Sequence, residues 1–181
     1  MHDLLSAIRA IPLPANRPRI VAVSGFGGAG KTTLSVALAK ELIRSAIVSI
    51  DSFVVGEWTR DAEWSNFDRR TFAERILEPA RRGEFPLRYL HEGSAVVVPR
   101  MDWLIVEGCS LLHPDMLPYY DYAVWVDCPL ETATARGMWR DRHVHHNEKD
   151  HEWREIWMPN ERDFFEKYKP KDAADFVYAA G

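Results

Sequence analysis

The segment GFGGAGKT, residues 25–32, directly follows the apolar run RIVAVS and fits two phosphate-binding patterns. Its glycines at 25, 27 and 30 match GxGxxG, which is typical of dinucleotide sites. Gly25 and Gly30, together with Lys31 and Thr32, also match GxxxxGK[ST], the P-loop. In that motif the lysine reaches the transferred phosphate and the hydroxyl group binds Mg²⁺. Backbone N–H groups of such a loop cradle the phosphates. The predicted phosphate-binding residues are Gly25, Gly27, Gly28, Ala29, Gly30, Lys31, Thr32 and Thr33.

Two carboxylates bear on the choice between these patterns. Asp51 follows the apolar run AIVSI, and Glu107 follows WLIV. Asp51 lies about 20 residues beyond the glycines, where a dinucleotide site has its ribose-binding carboxylate, but that site leaves Glu107 without a role. Two carboxylates at strand ends beside a phosphate loop suit a metal–phosphate site better. We therefore favour the P-loop, with Thr32, Asp51 and Glu107 around the metal, and keep a dinucleotide site as the alternative.

A regulatory GTPase is a P-loop protein of a different class, and two of its motifs are missing. Residues 147–150 are NEKD, which differs from the guanine-reading NKxD, and the EGC that ends the WLIV run is not a DxxG switch. The sequence therefore favours a metabolic enzyme over a molecular switch.

Apolar segments of two kinds alternate along the chain. RIVAVS, AIVSI, WLIV, YAVWV and DFVYA predict buried strands, and leucines every four residues predict a helix from Lys31 to about Arg44. Another helix is predicted to open at Thr71, with Glu74 completing a capping box and Pro79 dividing the helix. Further helices are predicted over 130–140 and 151–167. This alternation indicates a parallel sheet covered on both faces, with ligands at the carboxyl ends of the strands.

Two shorter features lie outside this alternation. PLRYL and AVVVP flank HEGS between residues 85 and 100 and predict a β-hairpin. The segment DRHVHHNEKDH, residues 141–151, has no apolar periodicity and is predicted to be a lid or a surface loop. Its histidines do not have a strong metal-ligand spacing, so zinc binding is disfavoured.

The composition is that of an ordinary globular protein, with 46% hydrophobic and 28% charged residues among 181. This length predicts one domain over residues 1–181. A net charge of −4 argues against a long nucleic acid as partner. Cys109 and Cys128 are expected to be unpaired, and no apolar run approaches the ~20 residues of a membrane helix. We expect a cytoplasmic protein that acts on a small molecule, with a homo-oligomer left open.

The motifs and their order resemble those of the uridine kinase and phosphoribulokinase family of P-loop small-molecule kinases. The resemblance rests on SGFGGAGKTTL, SIDSF, NFDRRTFAERILEPARRGE, LIVEG and VDCPLETATARGMWRD, from residue 20 to about residue 142. It implies a three-layer α/β sandwich whose main strands have the order 2-3-1-4-5, with a lid over approximately 140–152. It also implies transfer of the γ-phosphate of ATP to a hydroxyl group of a small metabolite.

The same resemblance implies roles for individual residues. Asp51 would act as base and metal partner, and Glu107 would hold Mg²⁺ through water. The lid arginines that complete the phosphate cage match Arg136 and Arg140, which share a helix face at four-residue spacing, and Arg142 is a further candidate. The implied catalytic residues are Lys31, Asp51, Arg136 and Arg140, and the implied acceptor-binding residues are Asp51, Phe53, Tyr89, His91 and Arg136.

Departures from the family pattern leave the acceptor open. Val54 stands where uridine kinases have an aromatic residue after DSF, and RYLH has Leu90 in place of an acid. The insert GEWTRDAEWSNFD offers aromatic side chains that could stack on a ring and arginines that could bind an acidic acceptor, unless they serve core and lid packing. A nucleoside such as uridine is the first expectation. The alternatives are pantothenate, a sugar, a nucleoside monophosphate, or a catalytically silent nucleotide-binding role.

Overall fold

The structure, a computed structural model, describes residues 1–180 as an α/β fold around a five-stranded parallel sheet. In chain order the strands are β1 (Arg19–Gly25), β2 (Ser45–Ser49), β3 (Leu87–His91), β4 (Ser94–Val98), β5 (Trp103–Glu107), β6 (Tyr122–Asp127) and β7 (Phe176–Ala179). The sheet order is β2-β5-β1-β6-β7, which is 2-3-1-4-5 when the hairpin strands β3 and β4 are left out. The predicted fold class and strand order are confirmed.

Burial of the central strands explains their continuous apolar sequences. Strand β1 is buried from Ile20 to Gly25, and β5 is buried along its whole length, as expected for a parallel sheet covered on both faces. Strand β1 pairs with β5 on one side and β6 on the other, with Val23 opposite both Glu107 and Val124. Because the five strands are parallel, their carboxyl ends form one edge of the sheet, where the P-loop begins.

Helices follow the strands along the chain. They are α1 (His2–Arg9), α2 (Lys31–Glu41), α3 (Arg69–Phe72), α4 (Glu78–Arg82), α5 (Leu130–His143), α6 (Asp150–Glu152) and α7 (Met158–Tyr168). Two π-helical turns, Ala73–Leu77 and Trp153–Trp157, join α3 to α4 and α6 to α7, and two 3₁₀ turns lie at Ile50–Phe53 and Leu117–Tyr119. Helix α2 packs against β1, β2 and β5, which fixes the residues after the P-loop against the sheet.

The predicted capping box at Thr71 is wrong. The N-cap of α3 is Asp68, whose carboxylate accepts a hydrogen bond from the backbone N–H of Thr71 at 2.9 Å, and aspartate is a strong N-cap residue. Glu74 forms an ion pair with Arg70 at 2.9 Å instead. The predicted division at Pro79 is not observed, because residues 69–82 are continuously helical and Leu77 and Glu78 keep right-handed helical angles. The π-helical turn Ala73–Leu77 precedes the proline instead.

Two helix ends also differ from the predicted ones. Helix α2 stops at Glu41, where Leu42 turns to extended backbone, rather than at about Arg44. Helix α5 continues to His143 and so includes the start of the segment predicted to be a lid or loop. The predicted hairpin is confirmed, because β3 and β4 pair antiparallel.

One hydrophobic core joins the helices to the sheet, and it includes Leu4 of α1, Trp125 of β6 and Phe164 of α7. Cys109 and Cys128 are both free. Within residues 1–180, no helix combines the length and the apolar character needed to cross a membrane.

Candidate active site

The loop between β1 and α2 has the backbone geometry of an anion-binding turn. Gly30 is the N-cap of α2, with a φ of 102°, and the first turn of the helix contains no acidic residue. No carboxylate of that turn therefore competes with a phosphate for the free N–H groups and the positive end of the helix dipole. Gly28 has a φ of +84°, and a Cβ atom there would lie 2.1 Å from the carbonyl oxygen of Ala133 in α5. Glycine is therefore required at Gly28 both by backbone conformation and by the close approach of α5.

Lys31 lies in the first turn of α2 and is 7% exposed. Its Nζ donates a hydrogen bond to the carbonyl oxygen of Phe26 at 2.9 Å. Burial favours the neutral amine, but negative charge on the neighbouring groups outweighs this effect and raises the pKa of Lys31. The largest of these contributions comes from Cys109, whose Sγ lies 3.3 Å from Nζ, followed by those of the carboxylates of Glu161, Glu107 and Asp51. Lys31 is therefore a positive charge fixed against the phosphate-binding loop.

Thr32 and Glu107 meet beside Lys31 at the carboxyl edge of the sheet. The Thr32 hydroxyl donates a hydrogen bond to Oε2 of Glu107 at 3.4 Å, and Glu107 is 6% exposed. Burial raises the pKa of the Glu107 carboxyl, and the negative charge of Asp51 raises it further. The positive charge of Lys31 lowers this pKa but does not cancel the increase. Two of the predicted site residues, Glu107 and Asp51, thus lie within electrostatic reach of Lys31.

Asp51 follows β2 and lines the cavity above the P-loop. Its side chain is exposed to that cavity, yet the protein around it excludes enough water to raise the pKa of the carboxyl. The positive charges of Lys31 and Arg140 oppose this shift without cancelling it. Asp51 is therefore a better proton acceptor than an aspartate on an open surface.

The residues present at this edge fit a magnesium ion. Thr32, Asp51 and Glu107 supply hard oxygen donors, which Mg²⁺ prefers, and the ion usually takes one or two carboxylates while water and phosphate complete its coordination. Residues 1–180 contain no group of three or more His, Cys, Asp or Glu side chains placed to hold a metal ion by themselves. A divalent cation would also offset the unfavourable proximity of the two carboxylates.

Glu161 on α7 is a further residue of this site, and no motif identified it. It is 4% exposed, and its Oε1 accepts a hydrogen bond from the backbone N–H of Gly27 in the P-loop. Its Oε2 is buried without a hydrogen-bond partner. Burial raises the pKa of the Glu161 carboxyl, while Lys31 and the Gly27 N–H oppose the shift. The contact joins residues 134 positions apart, so only the folded chain reveals it.

Arg136 and Arg140 lie one turn apart on α5, and both line the cavity. Arg140 donates hydrogen bonds to Oδ1 of Asp141 from Nε at 3.1 Å and from Nη2 at 3.0 Å. Arg142 points elsewhere: its Nη2 lies 2.6 Å from Oδ2 of Asp150, and it is not among the described lining residues. The structure therefore brings the first two predicted lid arginines together with the P-loop.

The remaining predicted acceptor residues lie outside the cavity lining. Phe53 is buried, and its ring stacks on that of Tyr89 with centroids 5.7 Å apart. Nδ1 of His91 lies 2.9 Å from the hydroxyl oxygen of Ser52. Within the described part of the chain, Phe53, Tyr89 and His91 are not lining residues, and their role in acceptor binding stays a prediction.

The cavity has a volume of about 990 Å³ and connects the P-loop with a group of aromatic side chains. His145 and Lys149, from the segment predicted to be a lid, also line it. The indole N–H of Trp153 donates a hydrogen bond to Oδ2 of Asp141 at 2.8 Å, which fastens the turn after this segment to α5. The aromatic and aliphatic lining residues are Val54, Trp58, Trp64, Phe67, Trp139, Trp153 and Trp157.

The fold is similar to that of known kinases. A curated relative, shikimate kinase from Bacillus subtilis (strain 168), is 28% identical over 178 residues, covering 94% of this chain and 87% of the relative. A solved structure of a possible uridine kinase from Bacillus stearothermophilus has a TM-score of 0.70 at 18% identity, covering 98% of this chain and 96% of that one. A candidate fructose transport system kinase from Silicibacter sp. TM1040 has a TM-score of 0.67 at 21% identity, covering 97% and 96%. No protein-family model matches the chain.

These similarities show that the chain shares the α/β fold of these kinases. The solved structures span this chain almost completely, so the whole sheet and its flanking helices are shared. The similar proteins are named for three different small molecules, and one fold can serve several acceptors.

Proposed function

We propose that this protein is an ATP- and Mg²⁺-dependent kinase that transfers the γ-phosphate to a hydroxyl group of a small metabolite. The observation that carries the proposal is the meeting of Lys31 and Asp51 with the P-loop in one cavity, with Arg136 and Arg140 also lining it. A nucleoside such as uridine is the first acceptor to test, followed by sugars and pantothenate. We expect the enzyme to act in the cytoplasm, without a nucleic acid or membrane partner.

Phosphoryl transfer requires the protein to align the reacting oxygen and to stabilise charge that spreads over the phosphoryl oxygens. The N–H groups of the P-loop and the amine of Lys31 hold the phosphates from the sheet side. The guanidinium groups of Arg136 and Arg140 contact them from α5, and charge-assisted hydrogen bonds of this kind are strong.

Asp51 accepts the proton of the attacking hydroxyl. Its carboxylate orients the hydroxyl oxygen toward the γ-phosphorus, and its raised pKa brings its basicity closer to the operating pH, which favours proton transfer. Thr32, Asp51 and Glu107 would hold Mg²⁺. When bound, the ion supplies positive charge to the phosphate oxygens.

The test is Mg²⁺-dependent release of ADP from ATP across nucleosides, nucleoside monophosphates, sugars and pantothenate, with no-acceptor and NAD controls. Lys31→Ala should lower kcat by about 10²–10³-fold, because it removes a fixed charge from the transferred phosphate. Lys40→Ala, an exposed lysine on the same helix, is the matched control and should turn over normally. Normal turnover by Lys31→Ala would contradict the proposal.

A nucleotide-binding protein without turnover is the second candidate. Stable ATP binding without acceptor-dependent ADP release across the whole panel would support this alternative.

A further inference from the structure

Four aromatic side chains, here called the aromatic wall, bound the part of the cavity next to Asp51: Trp58, Trp64, Phe67 and Trp157. Val54, three residues after Asp51, forms a β-bridge with Phe67, which connects the wall to the end of β2. The ring centroid of Trp58 lies 5.7 Å from that of Trp64, 5.6 Å from Phe67 and 5.5 Å from Trp157. Trp64 and Phe67 are buried, while Trp58 and Trp157 are half-buried. The wall is thus packed from behind and leaves part of two indole rings to the cavity.

Arg60 of the insert GEWTRDAEWSNFD and Arg69, which directly follows the insert, do not line the cavity, because other partners hold them. Arg60 binds the side chains of Asn160 and Asp163 on α7. Nη1 of Arg69 donates hydrogen bonds to the carbonyl oxygens of Glu63 at 2.8 Å and of Trp64 at 3.2 Å. An acidic acceptor therefore finds neither of these guanidinium groups among the described lining residues.

The cavity lining carries acidic and basic residues, which divide between its two ends. Asp51 and Glu92 line this cavity, whereas the carboxylate of Glu161 is bound to the N–H of Gly27 in the P-loop. Lys149 is the lining cation that contacts the wall, with its Nζ 5.5 Å from the ring centroid of Trp157. The other basic lining residues come from the P-loop and from the α5 and lid region, where ATP phosphates require them: Lys31, Arg136, Arg140 and His145.

We propose that the acceptor is an uncharged, ring-bearing alcohol that binds against the aromatic wall with its hydroxyl at Asp51. This inference rests on the proposed kinase function and narrows its acceptor. A carboxylate or phosphate on the acceptor would lose water near the carboxylates of Asp51 and Glu92, with Lys149 at the wall and without gaining Arg60 or Arg69, which is costly. A flat ring gains stacking and apolar contact with the indoles. Nucleosides and free sugars fit this site, whereas nucleoside monophosphates and pantothenate do not.

The chemical step balances with these groups alone. The acceptor oxygen forms a bond to the γ-phosphorus, the bond from that phosphorus to the β-γ bridging oxygen breaks, and ADP leaves with that oxygen. The hydroxyl proton passes to Asp51. The reaction therefore requires one free hydroxyl group on the acceptor.

Matched pairs of ring-bearing acceptors test the charge requirement: uridine with uridine monophosphate, and glucose with glucuronate. Binding is measured by calorimetry in the presence of Mg²⁺ and a non-hydrolysable ATP analogue, and turnover by ADP release. In at least one pair the uncharged member should bind about tenfold tighter or more. Preference for the charged member in every pair that binds, or failure of every uncharged member to bind, would overturn the inference.

The two readouts separate this inference from the proposed function. Binding of an uncharged acceptor without ADP release would contradict the kinase proposal but support the proposed class of ligand, an uncharged ring-bearing alcohol. Turnover restricted to an anionic acceptor would support the kinase proposal and overturn the acceptor class.

Variants of the wall test its position. Trp58→Leu should raise the KM of the acceptor by about tenfold without changing the KM of ATP, whereas Trp58→Phe, which keeps a ring, should recover most of the affinity. Leu90→Ala, at an exposed position of the hairpin, is the control and should behave as wild type. If Tyr89→Leu raises the acceptor KM while Trp58→Leu leaves it unchanged, the acceptor lies on the hairpin and the inference is wrong.

Discussion

The carboxylate of Glu161 accepts a hydrogen bond from the backbone N–H of Gly27, so helix α7 contacts the phosphate-binding loop directly. Backbone N–H groups of such loops bind anions, and a carboxylate meets this requirement as a phosphate does. The negative charge of Glu161 also lies near Lys31, where it opposes the burial effect on the amine. The carboxylate of Glu161 thus lies beside Lys31 and the loop N–H groups, which are also the groups that ATP phosphates need.

Glu161→Gln should tighten the binding of ATP by about tenfold, equivalent to about 1.4 kcal/mol, because it removes a like charge beside the phosphates. The amide oxygen of glutamine can still accept the Gly27 hydrogen bond, so the loop should keep its conformation. The dissociation constant of ATP is measured by calorimetry with Mg²⁺ present. Glu166→Gln, on the exposed part of the same helix, is the control. Weaker binding by Glu161→Gln would show that the carboxylate supports the nucleotide instead of opposing it.

The sequence was sufficient for the parts of the site that local patterns encode. The P-loop, Asp51 and Glu107 each follow an apolar strand, and the rule that parallel strands share a carboxyl edge brings them together. Glu161 could not be predicted in this way, since its place depends on how α7 packs on the loop. The contact between Trp58 and Trp157 has the same origin, because it joins two segments that are distant in sequence.

The misplaced helix cap has a more local cause. Thr71 and Glu74 satisfy the spacing of a capping box, but Asp68 lies three residues earlier and is the stronger acceptor for the Thr71 N–H. Two cap signals one turn apart cannot be ranked from spacing alone. Helix α3 therefore begins at Arg69, ahead of the predicted start.

The pH dependence of activity should report the ionisation of Asp51. A base must be deprotonated, so kcat/KM for ATP, which reflects the free enzyme, falls as pH falls through the pKa of Asp51. Because its surroundings raise that pKa, the midpoint of the acid limb should lie above about 4, the ordinary aspartate value. Rates are measured from about pH 4 to about pH 8, a range around the ordinary values of Asp and His.

Asp51→Asn supplies the matched test of that assignment. It should lower kcat by about 10²–10⁴-fold, the usual contribution of a general base, while ATP binding persists. Near-normal transfer by this variant, or an acid limb centred at or below about 4 in the wild type, would show that Asp51 is not the base.

Arg140→Ala should lower kcat by about 10²-fold, because a guanidinium group that contacts the phosphoryl oxygens stabilises the transition state. Arg142→Ala is the control two residues away on α5: its partner is Asp150, and its loss should leave kcat unchanged. Steady-state rates are measured for both, with thermal unfolding to confirm the fold, since Arg140 also holds Asp141. Equal rates for the two variants would remove Arg140 from the phosphate cage.

The packing of the P-loop against α5 can be isolated by comparing two glycines. Gly28 and Gly93 have similar backbone angles, with φ of +84° and +77°. A Cβ at Gly28 would lie 2.1 Å from the carbonyl oxygen of Ala133 and 2.8 Å from the backbone nitrogen of Gly137, whereas a Cβ at Gly93 meets no atom within 4 Å. Both alanine variants carry the same left-handed strain, and only one carries the clash.

Gly93→Ala should therefore lose about 1 kcal/mol of unfolding free energy, the cost of a left-handed alanine. Gly28→Ala should lose about 3 kcal/mol or more, because the loop and α5 must separate to admit the methyl group. Its ATP binding should fall as well, since the displaced loop no longer aligns its N–H groups on the phosphates. Denaturant unfolding measures the first effect and calorimetry the second. Equal losses of stability would mean that α5 does not constrain the loop.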